Sequence, residues 1–131
     1  MVNDLSKSNS VLNMYMAELR DVEIQKDSMR FRRNLERIGG MIAYELSKQL
    51  EYSSKEVQTP LGIAHVPVLK EQPVVASILR AGIPVHHGVL DVFDKAENAF
   101  ISAYRQHHKD GTFDVHVEYL ACPSLEGKEL I

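Results

Sequence analysis

Apolar positions recur with a helical period over the N-terminal part of the chain and with a strand period from about Lys55 onward. In Ser10–Arg20, SVLNMYMAELR, the residues Val11, Leu12, Tyr15, Met16 and Leu19 fall on one helical face. Asp21 to Lys26 interrupts that spacing. A second helix follows, which Asp27 or Ser28 can cap, with Phe31, Leu35, Ile38, Ile42 and Leu46 at intervals of three and four. Gly39-Gly40 in its middle costs about 1 kcal/mol per glycine relative to alanine, and such a pair marks close packing against another helix or subunit. Arg30, Arg32, Arg33, Glu36 and Arg37 surround the stripe as a solvated or interface face. Met14, Met16 and Met29 read as core or interface filling.

Beyond that helix, Lys55–Thr59 and Ile63–Val68 read as two short strands joined by the turn residues Thr59-Pro60-Leu61-Gly62. Pro67 confines the second to an edge or a strand end. Lys70 to Pro73 is a loop leading into Val74–Gly82, VVASILRAG. So short an apolar run, rich in Val and Ile, predicts a strand buried on both faces of a parallel sheet. Pro84 suits the first turn of a helix that carries Val85, Val89, Leu90 and Phe93 on one face. Phe100–Tyr104 is the next strand, ending at Arg105, so Val74–Tyr104 forms a βαβ unit. Gln106–Thr112 is a polar loop with an Asp110-Gly111 turn signal, and Val115, Val117 and Tyr119 alternate with His116 and Glu118 in a half-exposed strand. Ala121–Gly127 is a loop. Gly127-Lys128 then leads into Glu129-Leu130-Ile131, which reads as the start of another buried strand and suggests a fragment. The elements predict an α/β fold, with a helical segment over 1–54 and a sheet-forming part over 55–131.

Length and composition narrow this picture. The 131 residues suit one domain, and 44% hydrophobic with 25% charged residues is an ordinary globular balance. A formal charge of −3 offers no broad basic face, which counts against nucleic-acid binding. Cys122 is the single cysteine, so no internal disulfide forms and a reducing compartment fits. The start MVNDLSKSNS has no apolar signal core, and no stretch approaches the roughly 20 apolar residues of a membrane helix. The expected setting is soluble and cytoplasmic, away from membranes.

The candidate chemistry sits at two strand ends. Open parallel sheets place ligand sites just beyond the carboxyl ends of their strands, where Arg80 and Arg105 would both emerge. Gly82 would let the backbone turn and approach a ligand closely. Two guanidinium forks from neighbouring strands could clamp one phosphate or diphosphate. The bland alternative pairs them with Asp91, Asp94 or Glu97 as structural salt bridges. Other groups carry less. His86 and His87 diverge by about 100° on a helix, and His107-His108 beside Asp110 have no second ligand cluster, so no metal site is expected. Cys122 has no base beside it in sequence, and Ser77 and Ser102 lack a nucleophile elbow.

SILRAGIPVHHGVLDVFDKAENAFISAYR resembles the uracil phosphoribosyltransferases, whose chains carry an ILRAG segment, a short helix with a Gly-Val-Leu step, and a strand ending in Tyr-Arg. The likeness extends back through Leu19-Arg20-Asp21 and Phe31-Arg32 and covers essentially the whole chain. It implies a type I phosphoribosyltransferase fold, a parallel sheet with flanking helices and an added β-hairpin. The implied activity is transfer of phosphoribosyl from 5-phosphoribosyl 1-diphosphate (PRPP) to N1 of uracil, giving UMP and diphosphate in pyrimidine salvage. On the same resemblance Arg80, in the ILRAG match, and Arg105, in the Tyr-Arg match, bind the diphosphate of PRPP, with Ala81 and Gly82 forming the loop beneath it. It further implies Mg²⁺ accompanying PRPP, GTP as an activator known in some relatives, and a homo-oligomer, dimeric or higher. The family's Asp-Pro-Met-Leu-Ala-Thr-Gly-Gly phosphate cradle and its uracil-recognising segment are not in this sequence. The fold is therefore expected to be truncated before the phosphate-binding loop and the chain inactive alone, with base specificity and the general base left open. Two alternatives stand beside this: a regulatory relative that senses PRPP, and a structural copy that dimerises through the Gly39-Gly40 helix.

Overall fold

The computed structural model describes residues 3–131. Its helices are α1 (Val11–Arg20), α2 (Ser28–Ser47) and α3 (Ile83–Leu90). The strands are β1 (Tyr52–Thr59), β2 (Gly62–Leu69), β3 (Val74–Leu79), β4 (Glu97–His107) and β5 (Phe113–Ala121). Short 3-10 turns at Leu5–Lys7 and Ile24–Lys26 flank α1. No helix among the described residues is long and apolar enough to cross a membrane.

Asp27 is the cap that α2 uses, its carboxylate accepting from Met29 N–H at 3.1 Å and Arg30 N–H at 3.0 Å. The buried line of α2 is not the large-residue stripe. It runs through Asn34, Ile38, Gly39 and Ala43, while Ile42 is exposed. Small residues win that face because α3 lies directly on it. A Cβ on Gly39 would collide with the Val85 carbonyl oxygen, and one on Gly40 would stand 3.2 Å from the Gly88 carbonyl oxygen. Met14 and Met29 are exposed, contrary to a core role.

β3 and β4 run parallel, from Val74 opposite Glu97 to Leu79 opposite Ser102, and α3 connects them. On the other side of β3, Val74 and Leu130 form a parallel bridge. Val74 N–H donates to Glu129 O at 2.8 Å and Ala76 N–H to Ile131 O at 2.7 Å, so β3 is a central strand. It is not buried on both faces throughout. Val74, Val75 and Ser77 are buried, whereas Ile78 is 59% exposed. The core lies where α2, α3 and β3 meet, at Ala43, Val75, Val89 and Phe93, with Val85 and Leu90 packed against it.

Two hairpins project from this body. β1 and β2 pair in regular antiparallel register from Tyr52–Leu69 to Thr59–Gly62, three residues longer at the start than the pattern predicted. They pack on no other named helix or strand, and Leu69 alone of the pair joins the core. The second hairpin is where sequence and structure differ most. β4 does not end at Tyr104 but continues to His107, because β5 supplies an antiparallel partner beyond the last residue of β3. The loop shrinks to 108–112, closed by His108 N–H to Thr112 O at 2.9 Å with Gly111 at φ +86°. β5 is exposed along its whole length, not on alternate residues, since no layer covers either of its faces. The sheet β3-β4-β5 is accordingly mixed, parallel between β3 and β4 and antiparallel between β4 and β5.

Candidate functional site

The loop 80–82 joins the carboxyl end of β3 to α3. The Leu79–Arg80 peptide is cis. Gly82 N–H then donates to Ile78 O at 3.1 Å, Ile83 N–H to Arg80 O at 3.2 Å, and His86 N–H to Gly82 O at 2.9 Å. Gly82 sits at φ −71°, a conformation open to any residue, so conformational freedom is not why glycine stands there. Space is. A Cβ at Gly82 would collide with Ser77 Oγ and stand 2.9 Å from Ile78 O, so the loop lies flat against its own strand. Arg80 and Ala81 are exposed, and among the described residues neither of their N–H groups has an acceptor. Pro84, in the first turn of α3, has no N–H to offer. Two free amides, an exposed arginine and the N-terminus of α3 thus adjoin along residues 80–84, donor and dipole types that suit an anion.

Arg105 lies inside β4 rather than at a strand end. Extending the β3–β4 register by one residue puts Arg80 level with Ala103, so Arg105 stands two residues, about 7 Å, further along the sheet. The fold therefore brings the two arginines to the same end of the parallel pair, staggered rather than side by side. Neither forms a salt bridge with any carboxylate among the described residues, so the pairings with Asp91, Asp94 and Glu97 do not occur. Glu97 pairs instead with Lys128. The Arg105 guanidinium rests over the Phe113 ring, 4.8 Å from its centroid, a contact that leaves its N–H donors available.

The remaining groups disperse. His86 is buried and His87 exposed, so they do not share a site. His108 Nε2 meets Asp114 Oδ2 at 2.9 Å, while Asp110 is engaged with Thr112 and held below its ordinary carboxylate value by the Thr112 hydroxyl and N–H. No three His, Cys, Asp or Glu side chains among the described residues converge on a metal position. Cys122 is exposed and free. Ser77, His86 and Asn98 form a polar layer under the loop, a role to which neither the missing nucleophile elbow nor the His86-His87 spacing points. Its only trace in sequence is a serine and a histidine set within otherwise apolar runs.

A model of the family described as uracil phosphoribosyltransferase matches residues 6–121 of this chain. The chain belongs to that family. It is 50% identical to the uracil phosphoribosyltransferase of Porphyromonas gingivalis over 97% of its own length and 59% of the relative's. With the uracil phosphoribosyltransferase of Methanothermobacter thermautotrophicus the identity is 37%, over 80% of this chain and 49% of the relative. The chain thus spans between about half and three fifths of these uracil phosphoribosyltransferases. A solved structure of an Aquifex aeolicus protein superposes with a TM-score of 0.80 at 28% identity, covering 99% of this chain and 60% of that one.

Proposed function

We propose that this chain provides the diphosphate side of a cytoplasmic uracil phosphoribosyltransferase site, which transfers phosphoribosyl from PRPP to N1 of uracil. Arg80 and the 80–82 loop carry the reading: an exposed guanidinium with no carboxylate partner stands beside two backbone N–H groups with no acceptor. As the bond between the ribose anomeric carbon and diphosphate breaks, positive charge grows on the ribose and negative charge on the departing diphosphate. Donors already fixed in place stabilise that charge without reorganising. Gly82, pressed on β3, fixes where the loop that carries the Arg80 and Ala81 amides sits. Arg105 supplies a second cation from the projecting hairpin.

Among the described residues no three His, Cys, Asp or Glu side chains converge, so the Mg²⁺ that the resemblance implies is proposed to arrive with PRPP. Mg²⁺ belongs to PRPP itself, and no step here depends on a protein-held ion. The proposal includes a homo-oligomer, with GTP as an activator of the longer family enzyme. The 131 residues alone are proposed to be inactive, because the relatives they match are much longer. The experiment is a calorimetric titration of the chain with inorganic diphosphate and with PRPP, alongside an assay for UMP. Binding of both without UMP formation is expected, with Arg80→Ala weakening both by at least tenfold, the scale of one charged hydrogen-bonded contact. Undiminished binding by Arg80→Ala removes the residue from the site, and UMP production by the chain overturns the inactivity.

A further inference from the structure

Two buried polar atoms behind the 80–82 loop are left over by the diphosphate reading. Ser77 is 7% exposed and His86 5% exposed, yet among the described residues Ser77 Oγ and His86 Nδ1 have no hydrogen-bond partner. Buried polar atoms are nearly always paired, so each orphan calls for a reason. Both face the layer between the sheet and α3. Ser77 stands opposite Phe100 in the β3–β4 register, and the His86 ring lies 5.1 Å from the Phe100 ring.

Their chemistry is complementary. His86 Nε2 is 2.7 Å from Asn98 Oδ1, and Asn98 Nδ2 points to Ala96 O at 3.4 Å, which fixes Oδ1 as the acceptor. Nε2 therefore carries the imidazole proton, and Nδ1 presents a lone pair. The Ser77 hydroxyl has a proton to give. Both residues also grip the same point of the loop: Ser77 Oγ is what a Cβ on Gly82 would strike, and His86 N–H donates to Gly82 O.

We propose that Ser77 and His86 are positioning residues for the diphosphate loop, joined by one buried water that accepts from Ser77 Oγ and donates to His86 Nδ1. The chain Ser77–water–His86–Asn98 sets where Gly82 sits, and through it the direction of the Arg80 side chain and the neighbouring amides. A water with two or more polar partners is an ordinary part of a protein interior. The inference rests on the diphosphate reading of the loop.

The test uses the chain with ¹⁵N-labelled histidine. Long-range proton–nitrogen spectra of the unliganded chain should show His86 protonated at Nε2, with Nδ1 shifted as a hydrogen-bond acceptor. Ser77→Ala should move the Nδ1 resonance toward that of a free lone pair and leave the exposed His65 and His116 unchanged. The same variant should bind inorganic diphosphate about three- to tenfold more weakly, the scale of one hydrogen bond. Ser77→Thr, which keeps a hydroxyl, should recover both. An Nδ1–H tautomer, an Nδ1 resonance indifferent to Ser77→Ala, or equal diphosphate affinity overturns the proposal. A wild-type chain that ignores diphosphate sinks the functional reading and the positioning role with it. That failure is distinct, because it occurs before any variant is compared and leaves the imidazole spectrum as expected.

Discussion

At the scale of single residues, glycine acts here through the space it leaves. At Gly82 and Gly88 a methyl group has nowhere to go: the first would meet Ser77 and Ile78, the second the Glu36 carbonyl oxygen and the Gly40 N–H. Gly82→Ala and Gly88→Ala are each expected to cost about 1–3 kcal/mol by overpacking, read as a lower urea midpoint. Gly82→Ala should also weaken diphosphate binding, whereas Gly88→Ala should not beyond its effect on folding. A second residue-scale case is Glu18. Its carboxylate accepts from Asn34 Nδ2 at 2.7 Å and faces Arg30 NH1 at 3.4 Å, and the Asn34 bond first, then Arg30, holds its pKa below the ordinary 4.5. A carboxyl depressed in the folded state adds stability above its unfolded pKa and loses it as pH falls through the folded value. Thermal melts should therefore weaken below about pH 4.5, and Asn34→Ala should flatten that slope in part, since Asp4 and Asp21 are depressed too. An unchanged slope in Asn34→Ala would remove Glu18 from the acid response.

At the scale of elements, the molecule divides into a packed body and two arms. α2 and α3 lock together through Gly39, Gly40 and Gly88, and β3 lies beneath α3 with hydrogen-bonded neighbours on both edges. β1–β2 and the outer half of β4–β5 have neither a covering layer nor a second neighbour. A lone two-stranded ribbon is marginal in water. Hydrogen exchange should thus be slow in mid-α2, α3 and β3 and fast in β1–β2 and in residues 105–117. Equal protection across body and arms would contradict this division. Arg80 follows directly on β3 of the packed body, whereas Arg105 lies in the fast part. One half of the proposed anion clamp is then rigid, and the other rides on a segment free to move.

At the scale of the whole molecule, one face of the sheet is left partly uncovered. His86 and Gly82 of the α3 segment lie against Phe100 and Ser77, while the opposite face leaves Ile78, Val115, Val117 and Leu120 59–63% exposed. An apolar patch of that extent favours association. Sedimentation should find species heavier than the 14.8 kDa monomer, and Val117→Lys should shift them toward it. A wild-type monomer across micromolar concentrations would refute this. The same uncovered face shows how far local pattern reached. Period-3.6 and period-2 spacing, the Asp27 cap, the Thr59–Gly62 turn and the ILRAG segment were enough for the helices, the first hairpin, the βαβ unit and the family, because each depends on neighbours a few residues away. Periodicity could not tell that Ile78 and Val117 face solvent, since an apolar residue looks the same in sequence whether or not another layer covers it. Nor could it place Arg105 mid-strand, because β4 is extended by β5, a partner that only the folded chain supplies. Arg80 as a ligand-facing residue was legible from its place after an apolar strand. The close seat of Gly82 on Ser77, and the buried histidine beside it, were decided by tertiary packing, which alone brings residues 77, 82, 86 and 98 within reach of one another.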